Sequence, residues 1–238
     1  MRVSAHTGSD DRVVGANAGG LRYLDSSSGC HVRICSPRED PALWNQYLEG
    51  ALNGYRHYGV QDALDVESLA DGSSTTVFLA AIDPDGSVVA GLRTHGPHAS
   101  ADDIPGFRPW LGTPGEAALR ASVEAKVPSG VVESKGGWST RSVPRRPELG
   151  ALVARGVVHV TWLLDVRYGF GVSPLHQLDS YRSSGARPDP GIPAVSYPDE
   201  RYTTVPVWWD LSDLSAATPA QLELIDAERA QLLEARRS

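Results

Sequence analysis

TTVFLAAIDPDGSVVAGLRT, residues 75–94, consists of two strand-like runs around four turn-forming residues. TTVFLAAI (75–82) and SVVAGLRT (87–94) flank Asp83-Pro84-Asp85-Gly86, and that pattern specifies an antiparallel hairpin. Upstream, HVRICS (31–36) reads as a first strand. Asp40 then caps a helix whose first position is Pro41, where a missing N–H costs nothing. Leu43, Trp44, Tyr47, Leu48, Ala51, Leu52 and Tyr55 follow at alternating three- and four-residue spacing, one apolar stripe on a helix of about four turns. A shorter helix is expected over 62–70.

Downstream of the hairpin, Thr113-Pro114-Gly115-Glu116 has the form of a capping box and predicts a helix over 114–126. GVVESKGGWS (130–139) reads as a strand with a bulge or bend at Gly136 and Gly137. After a Pro/Arg loop at 140–147, Leu149, Leu152, Val153, Val160, Leu163 and Leu164 line one side of a helix. Val166–Ser173 reads as a strand, and Pro174–Ser184 as a helix closed by Gly185. TTVPVWW (203–209) is a late strand, and Thr218-Pro219-Ala220-Gln221 opens an amphipathic helix over 218–236. Residues 1–29, rich in Gly, Ser, Asp and Asn, read as a flexible leader. Interleaved strands and helices without a linker define one α/β domain on a mixed sheet, residues 30–238.

Composition narrows the function. The chain has 238 residues, long enough for a substantial core, and 22 basic against 29 acidic side chains, a net charge of −7. That balance disfavours nucleic acid as a partner. No apolar run reaches the roughly 18 residues of a membrane span, and MRVSAHTGSDD has no signal core, so a cytoplasmic protein is expected. Cys30 and Cys35 cannot build a disulfide framework or a zinc site of their own. All basic residues but Lys126 and Lys135 are arginine, which leaves two candidates for lysine chemistry.

Four short segments carry a family resemblance. Gly91-Leu92-Arg93 followed by Pro97 is similar to the Gly/Arg/Pro segment that ends the third strand of acyl-homoserine-lactone autoinducer synthases. Glu133-Ser134-Lys135 resembles their Glu/Ser/Arg strand, with lysine for arginine. Asp62 and Asp65 resemble the paired acidic residues after their first helices, and Tyr181-Arg-Ser-Ser-Gly185 resembles the Tyr-x-x-x-Gly ending the fourth helix of many GNAT proteins. Over about residues 31–210 the chain thus resembles the GNAT-type N-acyltransferase superfamily, on the branch of autoinducer synthases and N-acyl amino acid synthases. The resemblance implies a mixed, mostly antiparallel central sheet flanked by helices. It also implies acyl transfer from a thioester, acyl-CoA or acyl carrier protein, to a small-molecule amine, with no tightly bound cofactor. The alternative is a catalytically silent binding or oligomerisation module on the same fold.

Acyl transfer requires a base for the amine, stabilisation of the oxyanion and an acid for the thiolate. By the resemblance, Glu133 is the candidate base and Tyr181 the candidate acid. Arg141, Arg145 and Arg146 are the candidate donor-binding residues. The loop they occupy keeps the leading arginine of the pyrophosphate motif but has Pro144 and arginines where small residues belong, which favours a carrier-bound donor or phosphate contact through side chains. Each residue has a structural reading as well. Glu133 can pair with Arg93 or Lys135, Tyr181 can simply pack, and the three arginines can form a solvated turn. His95 and His98 lack a carboxylate partner in the local sequence and read as loop residues rather than metal ligands. His159 reads as a satisfied core histidine. Trp208 and Trp209 must point to opposite faces of their strand. Leu222, Ile225, Leu232 and Leu233 offer a stripe for a homodimer contact or for docking on the same domain.

Overall fold

In the computed structural model, which describes residues 20–141 and 146–237, the hairpin forms as read. Its strands are β3 (Val77–Ile82) and β4 (Val88–His95), with Leu79 facing Leu92 and Phe78 facing Arg93. Ahead of it lie β1 (Leu21–Asp25), β2 (Cys30–Cys35), α1 (Pro41–His57) and a one-turn α2 (Val66–Leu69). After it come α3 (Glu116–Glu124), β5 (Val131–Ser139), α4 (Arg146–Leu163), β6 (Tyr168–Pro174) and α5 (Leu178–Ser183). Short strands β7 (Arg187–Pro188) and β8 (Val195–Ser196), then β9 (Thr203–Asp210) and α6 (Pro219–Arg237), complete the order.

One sheet runs β1-β2-β3-β4-β5-β6-β9-β7, with β8 also on β9. Every pairing is antiparallel except β5 with β6. A parallel pair needs a long crossover, and α4 supplies it. The helices bury the sheet on both faces. Leu79, Leu92, Val157, Leu163, Trp209, Ile225 and Leu232 form the cluster under α4 and α6. On the other face Trp44, Tyr47, Phe78 and Trp138 pack under α1, and Phe107, Trp110, Leu119, Phe170 and Trp208 pack around α3. Trp208 and Trp209 thus divide between the faces as strand alternation requires. Ile225 and Leu232 dock on their own domain, while Leu233 stays exposed.

Asp40 caps α1 by accepting from the Leu43 N–H, with Pro41 at the first position. Other local readings are corrected. Residues 21–25, assigned to a leader, are strand β1: Leu21, Tyr23 and Asp25 are buried while Arg22 and Leu24 alternate outward. Residues 1–19 of that leader lie outside the described residues. The helix expected over 62–70 is a 3-10 turn at Gln61–Ala63 followed by the short α2. At 113–116 the capping box does not close. Thr113 accepts from the Gly115 N–H, and Glu116 takes the N–H of Gly112, so the helix starts later. Thr218 accepts from the Gln221 N–H, but the Gln221 side chain accepts from Arg155 instead of returning to the cap.

That diversion belongs to a buried ionic network. Arg155 on α4 has no exposure; it donates to Glu228 on α6 (Nη2–Oε1 3.0 Å), to Asp25 on β1 (Nη2–Oδ1 2.8 Å) and to Gln221 (Nη1–Oε1 3.0 Å). His159, one turn on, lies 2.6 Å from Glu228 Oε2 and edge-on to Tyr23. The network ties β1, α4 and α6 together; His159 is a core histidine as expected, but only half satisfied, its Nε2 meeting Glu228 and its buried Nδ1 having no hydrogen-bond partner.

Candidate functional site

β5 and β6 pair only at Val131–Glu133 against Tyr168–Phe170. Beyond Glu133, β5 keeps its partner β4 and β6 keeps β9, so the two halves of the sheet part at this point. On β5 the β4 register also slips, between the Arg93–Lys135 and Gly91–Trp138 pairs, a bulge at Gly136 and Gly137. Gly136 has φ +58°, and its carbonyl accepts from the Tyr47 hydroxyl at 2.8 Å. A Cβ there would stand 2.6 Å from that hydroxyl oxygen, so the bulge and the α1 tyrosine require glycine. Burial pushes the Tyr47 phenol up, leaving it a donor.

The two candidate catalytic residues flank the fork from opposite faces. Tyr181, on α5, packs against the α4-side cluster, its ring edge-on to Trp209 at 5.5 Å. Its hydroxyl oxygen lies 3.4 Å from where a Cβ on Gly137 would be, beside the unpaired edge of β5. Burial raises its pKa, so the phenol holds its proton.

Glu133 sits on the α3 side with no exposure, in the last residue pair before the strands separate. His95, directly across on β4, pairs with it, its Nε2 lying 2.8 Å from Oε2. Lys135 Nζ is 3.6 Å from Oε1, and Gly106 abuts the same oxygen so closely that a methyl there would collide with it. Burial alone pushes the Glu133 carboxyl up; His95, Lys135 and His98 together outweigh it and hold the pKa below the ordinary carboxylate value. Burial likewise lowers Lys135, with the Glu133 charge opposing. Arg93 does not pair with Glu133. Its side chain donates to the Thr75 hydroxyl at 3.3 Å and leaves Nε without a partner.

The remaining candidates lie apart from this fork or outside it. Arg141 is exposed and donates to the Tyr58 hydroxyl at 2.5 Å. Arg145 and the side chain of Arg146 lie outside the described residues. Asp65 is used as the N-cap of α2, accepting from the Ser68 N–H, and Asp62 is exposed in the preceding turn. The histidines set aside in the sequence are central: His95, His98 and Glu133 converge, their ligand atoms all within 4.8 Å of one another. The signal was the alternation Arg93/His95 on β4 against Glu133/Lys135 on β5, readable only once that register is known.

A sheet that forks at one parallel pair, with helices on both faces, is the GNAT-type N-acyltransferase fold. Two solved structures carry the comparison. FeeM, an N-acyl amino acid synthase from uncultured soil microbes, superposes with a TM-score of 0.56 at 13% identity, covering 80% of this chain and 95% of that one. The AHL synthase LasI superposes at 0.54 and 14% identity, covering 77% and 91%. In sequence, the chain is 42% identical over 209 residues to the uncharacterized protein Rv1356c of Mycobacterium tuberculosis, 87% of this chain and 80% of the relative, and equally to Mb1391c of Mycobacterium bovis. It belongs to the family of these mycobacterial proteins. No family model matches it. No helix among the described residues is long and apolar enough to cross a membrane.

Proposed function

We propose that this protein transfers an acyl group from a thioester donor to an amine. The observation that carries the reading is the fork after Glu133, with a buried carboxylate on one face and a buried phenol on the other. The amine attacks the thioester carbon, Glu133 takes its proton through a water, and the C–S bond breaks as Tyr181 protonates the departing thiolate. Backbone N–H groups of the bulged β5 edge stabilise the oxyanion. Arg141, Arg145 and Arg146 meet the phosphate of the donor, acyl-CoA or acyl carrier protein, at the start of α4. On the acceptor side Arg93 and Arg108 add positive charge near Lys135, the neighbour of Glu133, which supports an amine that also bears an acidic group.

A second reading, a catalytically silent binding module on the same fold, is favoured by Pro144 and the arginines in the donor loop. One experiment separates them. Calorimetry with a panel of acyl-CoA and acyl-carrier donors, followed by product analysis with amines, is expected to show donor binding and turnover that Tyr181→Phe and Glu133→Gln abolish at unchanged stability. Donor binding without product supports the silent module; absence of any donor binding refutes both.

A further inference from the structure

We propose that His95, His98 and Glu133 form a binding site for one divalent transition-metal ion, at the acceptor face of the fork. Two nitrogens and a carboxylate are a ligand set suited to zinc or cobalt with a coordination position left open. The geometry is that of a set made to converge. His95 ends β4, Glu133 lies directly across on β5, and the turn through Gly96 carries His98 back over His95, the two rings edge to face at 4.9 Å. Gly96 has φ +101°, and a Cβ there would press on the His98 ring and backbone at 3.0 Å. The His98 N–H is tied to the Val131 carbonyl on β5 at 2.8 Å.

The second observation is polar accounting. Buried nitrogens and oxygens are nearly always hydrogen-bonded. Four of the eleven buried side-chain atoms without a hydrogen-bond partner among the described residues lie in this cluster, His95 Nε2, His98 Nε2 and both oxygens of the wholly buried Glu133, with His95 and Lys135 at ion-pair distance from the carboxylate. His95 Nε2 and Glu133 Oε2 stand 2.8 Å apart, so an entering ion takes the place of their ion pair. Lys135, 3.6 Å from Oε1, opposes a cation, so the ion is held through Oε2 and its affinity is limited by that ammonium.

The site does not depend on the acyl-transfer reading, but it shares Glu133 with it. An ion on Oε2 removes the carboxylate from proton transfer, so the occupied form is the inactive one.

The test is a Co²⁺ titration of the full-length, chelator-treated protein, read by visible absorption, with Zn²⁺ competition and thermal shift in parallel. No acyl donor is present, so the outcome is independent of whether the protein is a transferase. One equivalent is expected to bind, to be displaced by Zn²⁺, and to raise the melting temperature. His98→Ala and Glu133→Gln each weaken it at least about tenfold, while Lys135→Met tightens it. His98→Gln is measured beside His98→Ala, with circular dichroism confirming the fold of each. Absence of saturable binding, binding unchanged in both His98 and Glu133 variants, or weaker binding in Lys135→Met overturns the proposal.

Discussion

Replacing Arg155 with methionine tests the buried network that joins the first strand and the last helix. The guanidinium has no exposure and stands between Glu228 and Asp25, with Gln221 on its third nitrogen. Methionine keeps most of the volume and removes the charge, so the loss comes from the carboxylates left behind. They are not equally provided for. Asp25 retains the backbone N–H groups of Ser27 and Ser28 and both hydroxyls, at 2.5–3.1 Å. Glu228 retains only His159. Breaking a buried pair by deleting one partner costs about 3–5 kcal/mol, which for a chain of this length lowers the melting temperature by roughly 6–20 °C. Because the cost is concentrated on Glu228, adding Glu228→Gln to Arg155→Met is expected to recover part of it, whereas Asp25→Asn recovers less. Urea unfolding of the wild type, the single variants and the two doubles gives the cycle. A loss under about 1 kcal/mol for Arg155→Met, or a double with Glu228→Gln no more stable than the single, refutes the reasoning.

Three further outcomes are expected. Tyr23→Ala costs about 3 kcal/mol in chemical unfolding, while Leu24→Ala, exposed on the other face of β1, stays within about 0.5 kcal/mol; equal effects would mean that β1 is not part of the core. Burial lowers the pKa of His159 despite Glu228, so its contribution is complete above about pH 6.5 and is lost as pH falls through the lower folded value. Melting temperature is therefore expected to drop on acidification from pH 7 to 5, and His159→Gln to flatten that drop; an unchanged slope refutes it. Tyr47→Phe removes the donor to the Gly136 carbonyl and costs about 1 kcal/mol, measured as a shift in the urea midpoint; a neutral result would mean that water replaces the hydroxyl.

How far the fold could be read before the structure follows from where each signal is encoded. The hairpin at 75–94, the cap at Asp40 and the α1 stripe are local patterns, and all three stand in the structure. β1 was missed because its five residues sit among glycine, serine and aspartate; its alternation is plain only once Asp25 is seen as buried by Arg155. The two capping boxes failed for a related reason. Glu116 and Gln221 had the right spacing, yet Gly112 and Arg155 offered better partners, and sequence spacing cannot rank a tertiary partner against a local one. At the site, Glu133 and Tyr181 were legible as residue types in strand and helix. Their placement on opposite faces of one gap, and the Tyr47 hydroxyl under the bulge, depend on which strands pair and where pairing ends.

The location of the candidate site has a physical cause that does not need the relatives. Where two parallel strands cease to pair, both lose a row of backbone partners, and those groups must be met by side chains, water or a ligand. Ligands in open α/β sheets gather at such breaks for the same reason. Here the break follows Glu133, and β5 adds a bulge three residues later, so unpaired backbone and a buried carboxylate lie close together along the strand. A carboxylate with no exposure at that point persists only with cationic or metal company, and the residues facing it are His95, His98 and Lys135. Structural pairing alone would call for one cation aligned on the carboxylate. Three groups crowd it instead, His95 and Lys135 at ion-pair distance and His98 with a buried Nε2 that has no hydrogen-bond partner. That arrangement is wasteful as an ion pair and economical as a site whose remaining partner arrives from solution.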